Sequence, residues 1–190
     1  MKHLIPLLAL LCLCLASCHN GQRGGDSSRG DIAMQPCPTF EADSAMLSIE
    51  AQCAFGPRVP GTDAWQQCGD WIATRFAACG LSVAEQLTEV TRYDGQKMPC
   101  RNIIASFRPE ATDRILLCTH WDSRPWADND PDAKNHHTPI LAANDGASGV
   151  AVMLELARLI QGDTLIHTGI DFVCFDAEDS GYPHWETQDI

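Results

Sequence analysis

The chain contains no run of lysine or arginine. Its 13 basic residues are outnumbered by 25 acidic ones, giving a net charge of −12. With no basic patch to meet a polyanion, nucleic acid is excluded as a partner. No apolar stretch reaches the roughly 20 residues that a bilayer-crossing helix needs. The run from Leu4 to Leu15 is short and is broken by Pro6. No Cys-x-x-Cys pair occurs, which removes zinc knuckles and thioredoxin-type redox motifs from consideration. Charged residues make up 20% of the chain and hydrophobic ones 45%. A packed core is therefore within reach, and wholesale disorder is not indicated.

What is present begins with an export signal. Met1-Lys2-His3 is a short basic start, and the apolar run behind it suits the central region of a signal peptide. It ends in Leu15-Ala16-Ser17-Cys18, which resembles a bacterial lipobox. In such signals the cysteine, here Cys18, becomes the lipidated first residue after cleavage. The alternative is an ordinary signal peptide cut near Ser17. Either way residues 1–17 leave and the mature chain is expected to be exported; with the lipobox it is expected to be a membrane-anchored lipoprotein facing the periplasm. Residues 18–35 are rich in Gly, Ser, Arg, Asp and Asn, the composition of a flexible tether.

The mature chain keeps Cys37, Cys53, Cys68, Cys79, Cys100, Cys118 and Cys174. Export permits disulfides, yet an odd number leaves at least one thiol over. Cys118 and Cys174 lie in apolar strand patterns, where cysteine acts as a small buried hydrophobe. Mostly free, structural thiols are expected, with Cys53 and Cys68 the first pair to check for a bridge.

Asp43 can cap a helix from Ser44 to Phe55, stopped by Gly56-Pro57. A second helix follows Gly61-Thr62-Asp63. Its apolar positions Trp65, Cys68, Trp71, Ile72, Phe76 and Cys79 recur at helical spacing, and Gly80 ends it. Leu81 to Tyr93 and Arg101 to Phe107 read as strands joined around Asp94-Gly95, a hairpin signal. Ile115 to Cys118 reads as a short, fully buried strand. Trp121 to Asn144 is a polar excursion of the length that marks a functional or disordered loop. Gly149 to Ile160 returns to a largely buried helix whose polar edge is Glu155 and Arg158. Gly169 to Phe175 is another buried strand.

Strand, loop, helix and strand make a βαβ unit with a parallel pair. Ligands of open α/β sheets sit beyond the carboxyl ends of such strands. That topology brings His120, Asp122, Asp145, Glu178 and Asp179 to one rim. A single carboxylate at a strand end usually caps a helix or stays solvated. Five such groups from three segments suit a cation that takes imidazole and carboxylate donors, as catalytic zinc does.

Four ordered blocks now carry a resemblance: Phe55-Gly-Pro-Arg-Val-Pro-Gly-Thr62, Thr119-His-Trp-Asp-Ser-Arg-Pro-Trp-Ala-Asp128, Asn144-Asp-Gly-Ala-Ser-Gly-Val150 and Phe175-Asp-Ala-Glu-Asp179. Together they resemble the bacterial glutaminyl cyclases, within the zinc exopeptidase superfamily that includes the M28 aminopeptidases. The similarity covers about residues 35 to 183. It implies an α/β fold, an incomplete three-layer sandwich with a mixed, mostly parallel sheet. Residues 36–190 would be the N-terminal portion of that domain, with the C-terminal part missing.

The resemblance also implies roles. Asp145 and Asp179 correspond to zinc ligands, the peptide bond after Asp145 often being cis in the family. Glu178 corresponds to the general acid/base. The activity implied is cyclisation of N-terminal glutamine of peptides to pyroglutamate with release of ammonia, using one Zn2+ per complete enzyme. Trp121 and Trp126 would either shape the substrate pocket or pack the loop. In a two-zinc M28 aminopeptidase His120 would instead hold a second metal, with Asp145 bridging. A third reading is a non-catalytic peptide-binding lipoprotein. His136-His137 lies mid-loop and receives no role, and His3, His19, His167 and His184 read as signal, tether or surface. The family's remaining strands, a third zinc ligand and a second catalytic Asp are expected beyond Ile190. On that basis this chain alone is expected to be inactive, and poorly soluble through an exposed strand edge.

Overall fold

Helix α1 spans Ala42–Ala54 and starts two residues before the expected Ser44. Asp43 is therefore not its cap: it sits in the first turn, and Glu41 occupies the N-cap without a side-chain bond. The Glu41 N–H finds its acceptor elsewhere, on Glu155 Oε1 at 2.8 Å. That tertiary bond satisfies one of the orphan donors at the helix start. These elements belong to a computed structural model, which describes residues 37–186. The signal peptide, the tether and Cys18 lie outside the described residues.

Helix α2 (Asp63–Ala78) starts at Asp63 and is capped by Thr62, whose Oγ1 accepts from the Trp65 N–H at 3.2 Å. Its helical-period positions Trp65, Cys68, Ile72 and Phe76 are buried. Strands β1 (Ser82–Thr91) and β2 (Lys97–Phe107) form the antiparallel hairpin. Gly95 at φ +83° turns the chain there, a conformation that costs glycine nothing. Asp94 accepts from the Gln96 N–H at 3.1 Å and pairs with Arg92.

Strand β3 (Arg114–His120), helix α3 (Ala147–Ile160) and strand β4 (Gly169–Phe175) complete the βαβ unit. β3 and β4 pair in parallel, with Arg114 opposite Gly169 and His120 opposite Phe175. β4 also pairs antiparallel with β2, so the sheet runs β1-β2-β4-β3. It is mixed, as expected, but the described part is not mostly parallel: two of its three pairings are antiparallel, and β3 with β4 is the parallel one. α2 and α3 pack through one core with Ile103, Ala105, Phe172 and Cys174 of the sheet.

Three burial expectations are corrected. β3 is an edge strand of the described sheet, so its apolar run is not fully buried: Ile115 and Leu116 are exposed, and so is Cys118. Leu116 and Cys118 share the pleat face opposite the half-buried Leu117, away from the core. Glu155 is not a solvated edge of α3 but is buried, holding Arg158 at 2.6 Å as well as the Glu41 N–H. Cys53 and Cys68 are free thiols. Burial pushes the Cys68 thiol up to about 12, the inert regime.

Candidate functional site

The parallel register delivers His120 and Phe175 side by side, and the chain beyond each strand stays in register for one further bond, Trp121 N–H to Phe175 O at 3.0 Å. Asp122 then turns inward and is fully buried. Its two carboxylate oxygens accept from the backbone N–H groups of Glu178 (3.3 Å) and Asp179 (3.1 Å). Asp122 thus fixes the turn after β4, where Ala177 takes φ +65°. Ahead of α3, Gly146 takes φ +91°, and a Cβ there would lie 3.0 Å from Asp122 O and 3.1 Å from His120 Cε1. Only glycine lets Asp145 approach the histidine this closely. Among the described residues no peptide bond is cis, so the cis bond expected after Asp145 is absent and Gly146 reverses the chain through φ instead.

All five rim residues converge. His120 Nε2 lies 2.9 Å from Asp145 Oδ1, and its Nδ1 lies 3.4 Å from Asp122 Oδ1 (without hydrogen-bond geometry) and 3.8 Å from Glu178 Oε2. Asp122 first, then Asp145 and Glu178, hold the imidazole up at about 9, against the opposing pull of burial. Glu178 and Asp145 have side chains 63% and 68% exposed, so both are open to a ligand.

Asp179 is placed differently. Its Oδ1 receives Arg124 Nη1 at 3.2 Å, while its Oδ2 is buried with no partner. Burial pushes its carboxyl up to about 6, with Arg124 offsetting part of the rise. A buried carboxylate oxygen without a donor is costly unless something cationic faces it. A buried unpartnered carboxylate oxygen and an exposed one are both donors of the type zinc takes. Among the described residues no group of three or more His, Cys, Asp or Glu is placed to hold a metal ion.

Trp121 belongs to the core and not to a pocket wall. It is fully buried, stacks on Trp65 at 5.9 Å and donates Nε1 to Arg101 O at 3.0 Å. The nearest signal was the Trp65 periodicity on α2, which supplies its stacking partner. Trp126 is 8% exposed and packs edge-on against Tyr93 and Trp185, with Arg92 and Arg124 over its ring. His136 and His137 lie against Trp185.

Two residues gain roles that their positions in the sequence did not announce. Arg58 is fully buried and donates to Trp121 O (3.0 Å), Leu141 O (2.8 Å) and Ala142 O (3.0 Å). It closes the base of the 121–144 loop. Arg124 holds Asp128 through two bonds of 2.7 and 2.6 Å and also reaches Asp179 and Tyr182 O. That pairing keeps the Asp128 carboxyl down at about 2.

With this geometry in place, the chain can be compared with known proteins. The family model for peptidase family M28 matches residues 102–183. Over that segment the chain is similar to the M28 family. A glutaminyl cyclase of Bacteroides thetaiotaomicron, solved with N-acetylhistamine bound, is 50% identical over 80% of this chain with a TM-score of 0.78. A Zn-dependent exopeptidase of Parabacteroides distasonis is 48% identical over 82% of this chain, TM-score 0.79. The alkaline phosphatase isozyme conversion protein of Escherichia coli is 30% identical over 67% of it. The chain spans 52%, 53% and 39% of those three relatives' lengths. The matched segment contains His120, Asp122, Asp145, Glu178 and Asp179, whereas Arg58 and Trp65 precede it.

Proposed function

We propose that this chain carries part of the active site of a zinc-dependent glutaminyl-peptide cyclotransferase, whose substrates are peptides or proteins with N-terminal glutamine. One observation carries the reading: Glu178 stands exposed at the rim, its neighbour Asp179 offers a buried unpartnered oxygen, and Asp145 stands exposed in the turn ahead of α3. The 50% identity with a glutaminyl cyclase gives that arrangement its chemical context.

Asp145 and Asp179 would hold the zinc, which when bound supplies a Lewis acid for the side-chain amide oxygen of the substrate glutamine. Glu178 does the proton work. It accepts a proton from the substrate α-amine as that nitrogen bonds to the amide carbon. It returns the proton to the departing nitrogen as the old C–N bond breaks, so the products are pyroglutamate and ammonia. His120 lies between Asp145 and Glu178 and restrains both carboxylates. Asp122, by gripping two consecutive N–H groups, fixes which way Glu178 and Asp179 project.

A second reading, a two-zinc aminopeptidase, is favoured by the P. distasonis exopeptidase neighbour and would use His120 as a ligand. The test offers a protein that continues this chain to the length of its relatives a glutaminyl peptide and leucine p-nitroanilide. Ammonia release from the first, abolished by Glu178→Gln, supports the cyclotransferase. Cleavage of the second with two zinc ions per chain sinks it. Neither activity leaves a peptide-binding protein. We also assign the mature chain to the periplasmic side of a membrane through lipid on Cys18. Labelled palmitate incorporated by the parent and not by Cys18→Ala tests that.

A further inference from the structure

Arg124 sits where two segments of the rim meet. Its Nε and Nη2 are held by Asp128 at 2.7 and 2.6 Å. Nη2 also donates to Tyr182 O at 2.9 Å. Nη1 donates to Asp179, to Oδ1 at 3.2 Å and to the carbonyl oxygen at 3.3 Å. Asp128 in turn accepts the His184 N–H at 3.0 Å. The planar guanidinium therefore joins the 121–144 loop to the chain beyond β4, and it makes its contact to one named oxygen of Asp179. The other oxygen, Oδ2, is buried without a donor.

We infer that Arg124 is the positioning residue of this site, occupying Oδ1 of Asp179 so that Oδ2 alone is presented to a divalent cation. The inference rests on the reading of Asp179 as a zinc ligand. Two effects of the arginine compete. A positive charge beside a ligand repels a cation, which would make Arg124 a brake on binding. Asp128, with its side chain 1% exposed, neutralises that charge at two short bonds, so little repulsion remains. What survives is geometry: one lone-pair direction blocked, the carboxylate plane fixed. Outer partners that orient a ligand this way are worth roughly 10- to 100-fold in metal affinity.

The test titrates ZnCl2 by calorimetry into a protein that continues this chain to the length of its relatives, and records Co2+ visible absorption on the same variants. Arg124→Ala should bind zinc at least about 10-fold more weakly. Its Co2+ band should also lose intensity as the second carboxylate oxygen enters the coordination shell, a change that loss of stability alone does not produce. Zinc affinity unchanged or tightened in a folded Arg124→Ala chain overturns the inference. Should that variant not fold, Asp128→Asn loosens the same guanidinium while keeping its volume. It should weaken zinc by a smaller factor, and an unchanged affinity again overturns the inference. Asp179→Asn separates the two ideas. If it leaves zinc binding intact, Asp179 is no ligand and the underlying reading falls. If it weakens binding while Arg124→Ala does not, only the positioning role falls.

Discussion

Arg58→Lys should destabilise the fold by about 3 kcal/mol. Arg58 is wholly buried and spends three N–H groups on three carbonyls, those of Trp121, Leu141 and Ala142. Leu141 is half exposed, so its carbonyl can turn to water at little cost. The other two bonds are buried. A lysine ammonium is a point donor without the fork, and from one position it can satisfy one of them. The carbonyl left over costs about 1–3 kcal/mol, and the bond lost from a charged donor belongs to the stronger class. The assay is urea unfolding followed by tryptophan emission, expecting a lower midpoint at unchanged slope. Amide exchange should rise at Ser123, whose N–H bonds Arg58 O, and at Ala147, whose N–H bonds Ala142 O. A change under about 0.5 kcal/mol, the ordinary effect of a surface substitution, would refute the reasoning and show that the loop is closed by something else.

Burial holds the Asp176 carboxyl up at about 6, even though the Trp65 Nε1, Arg101 and Ala177 N–H groups all donate to it. Because the folded chain binds that proton more tightly than the unfolded one, stability should fall as pH rises from about 4 to about 6, by about 3 kcal/mol at most for this group. Asp179, also raised to about 6, contributes in the same window. Asp176→Asn should therefore flatten roughly half of the slope in urea midpoint against pH; an unaltered slope would clear Asp176 of the effect. Gly149→Ala would drive a Cβ into the Thr119 side chain. It should cost about 1–3 kcal/mol by overpacking α3 on β3, and a melting temperature equal to the parent's would contradict that contact. Thr62→Ala removes the cap of α2 and should cost about 1 kcal/mol in the same unfolding assay. No change there would mean that water serves the freed Trp65 N–H equally well.

The elements were legible wherever one local rule acted alone. Gly95 marks the hairpin, Gly61-Thr62-Asp63 leads into α2, and the apolar run 169–175 is the interior strand β4. The convergence of His120, Asp145, Glu178 and Asp179 was legible as well, because parallel strands must present their carboxyl ends together. What failed depended on partners remote in sequence. Cys118 has the same apolar neighbours as a buried cysteine, but its strand is at the edge. Trp121 sits in the loop that follows β3, yet Trp65 and Arg101 draw it into the core. Asp43 is a good cap residue, yet the helix starts at Ala42 with Glu41 at its N-cap, where Glu155 holds the Glu41 N–H. Arg58 gives no local signal at all, since its three acceptors are backbone oxygens at least 63 residues away.

The strand order carries a consequence for biosynthesis. β4 is made after β1, β2 and β3, yet it lies between β2 and β3. Until it leaves the ribosome, the hairpin and β3 have no common partner, and each presents an unpaired edge. Sheet assembly must wait for residue 175, well after α2 and the hairpin can form. Such late, non-local closure is slow and exposes nascent chains to misassociation. A holdase that shields the β2 and β3 edges would have the most to protect in that interval.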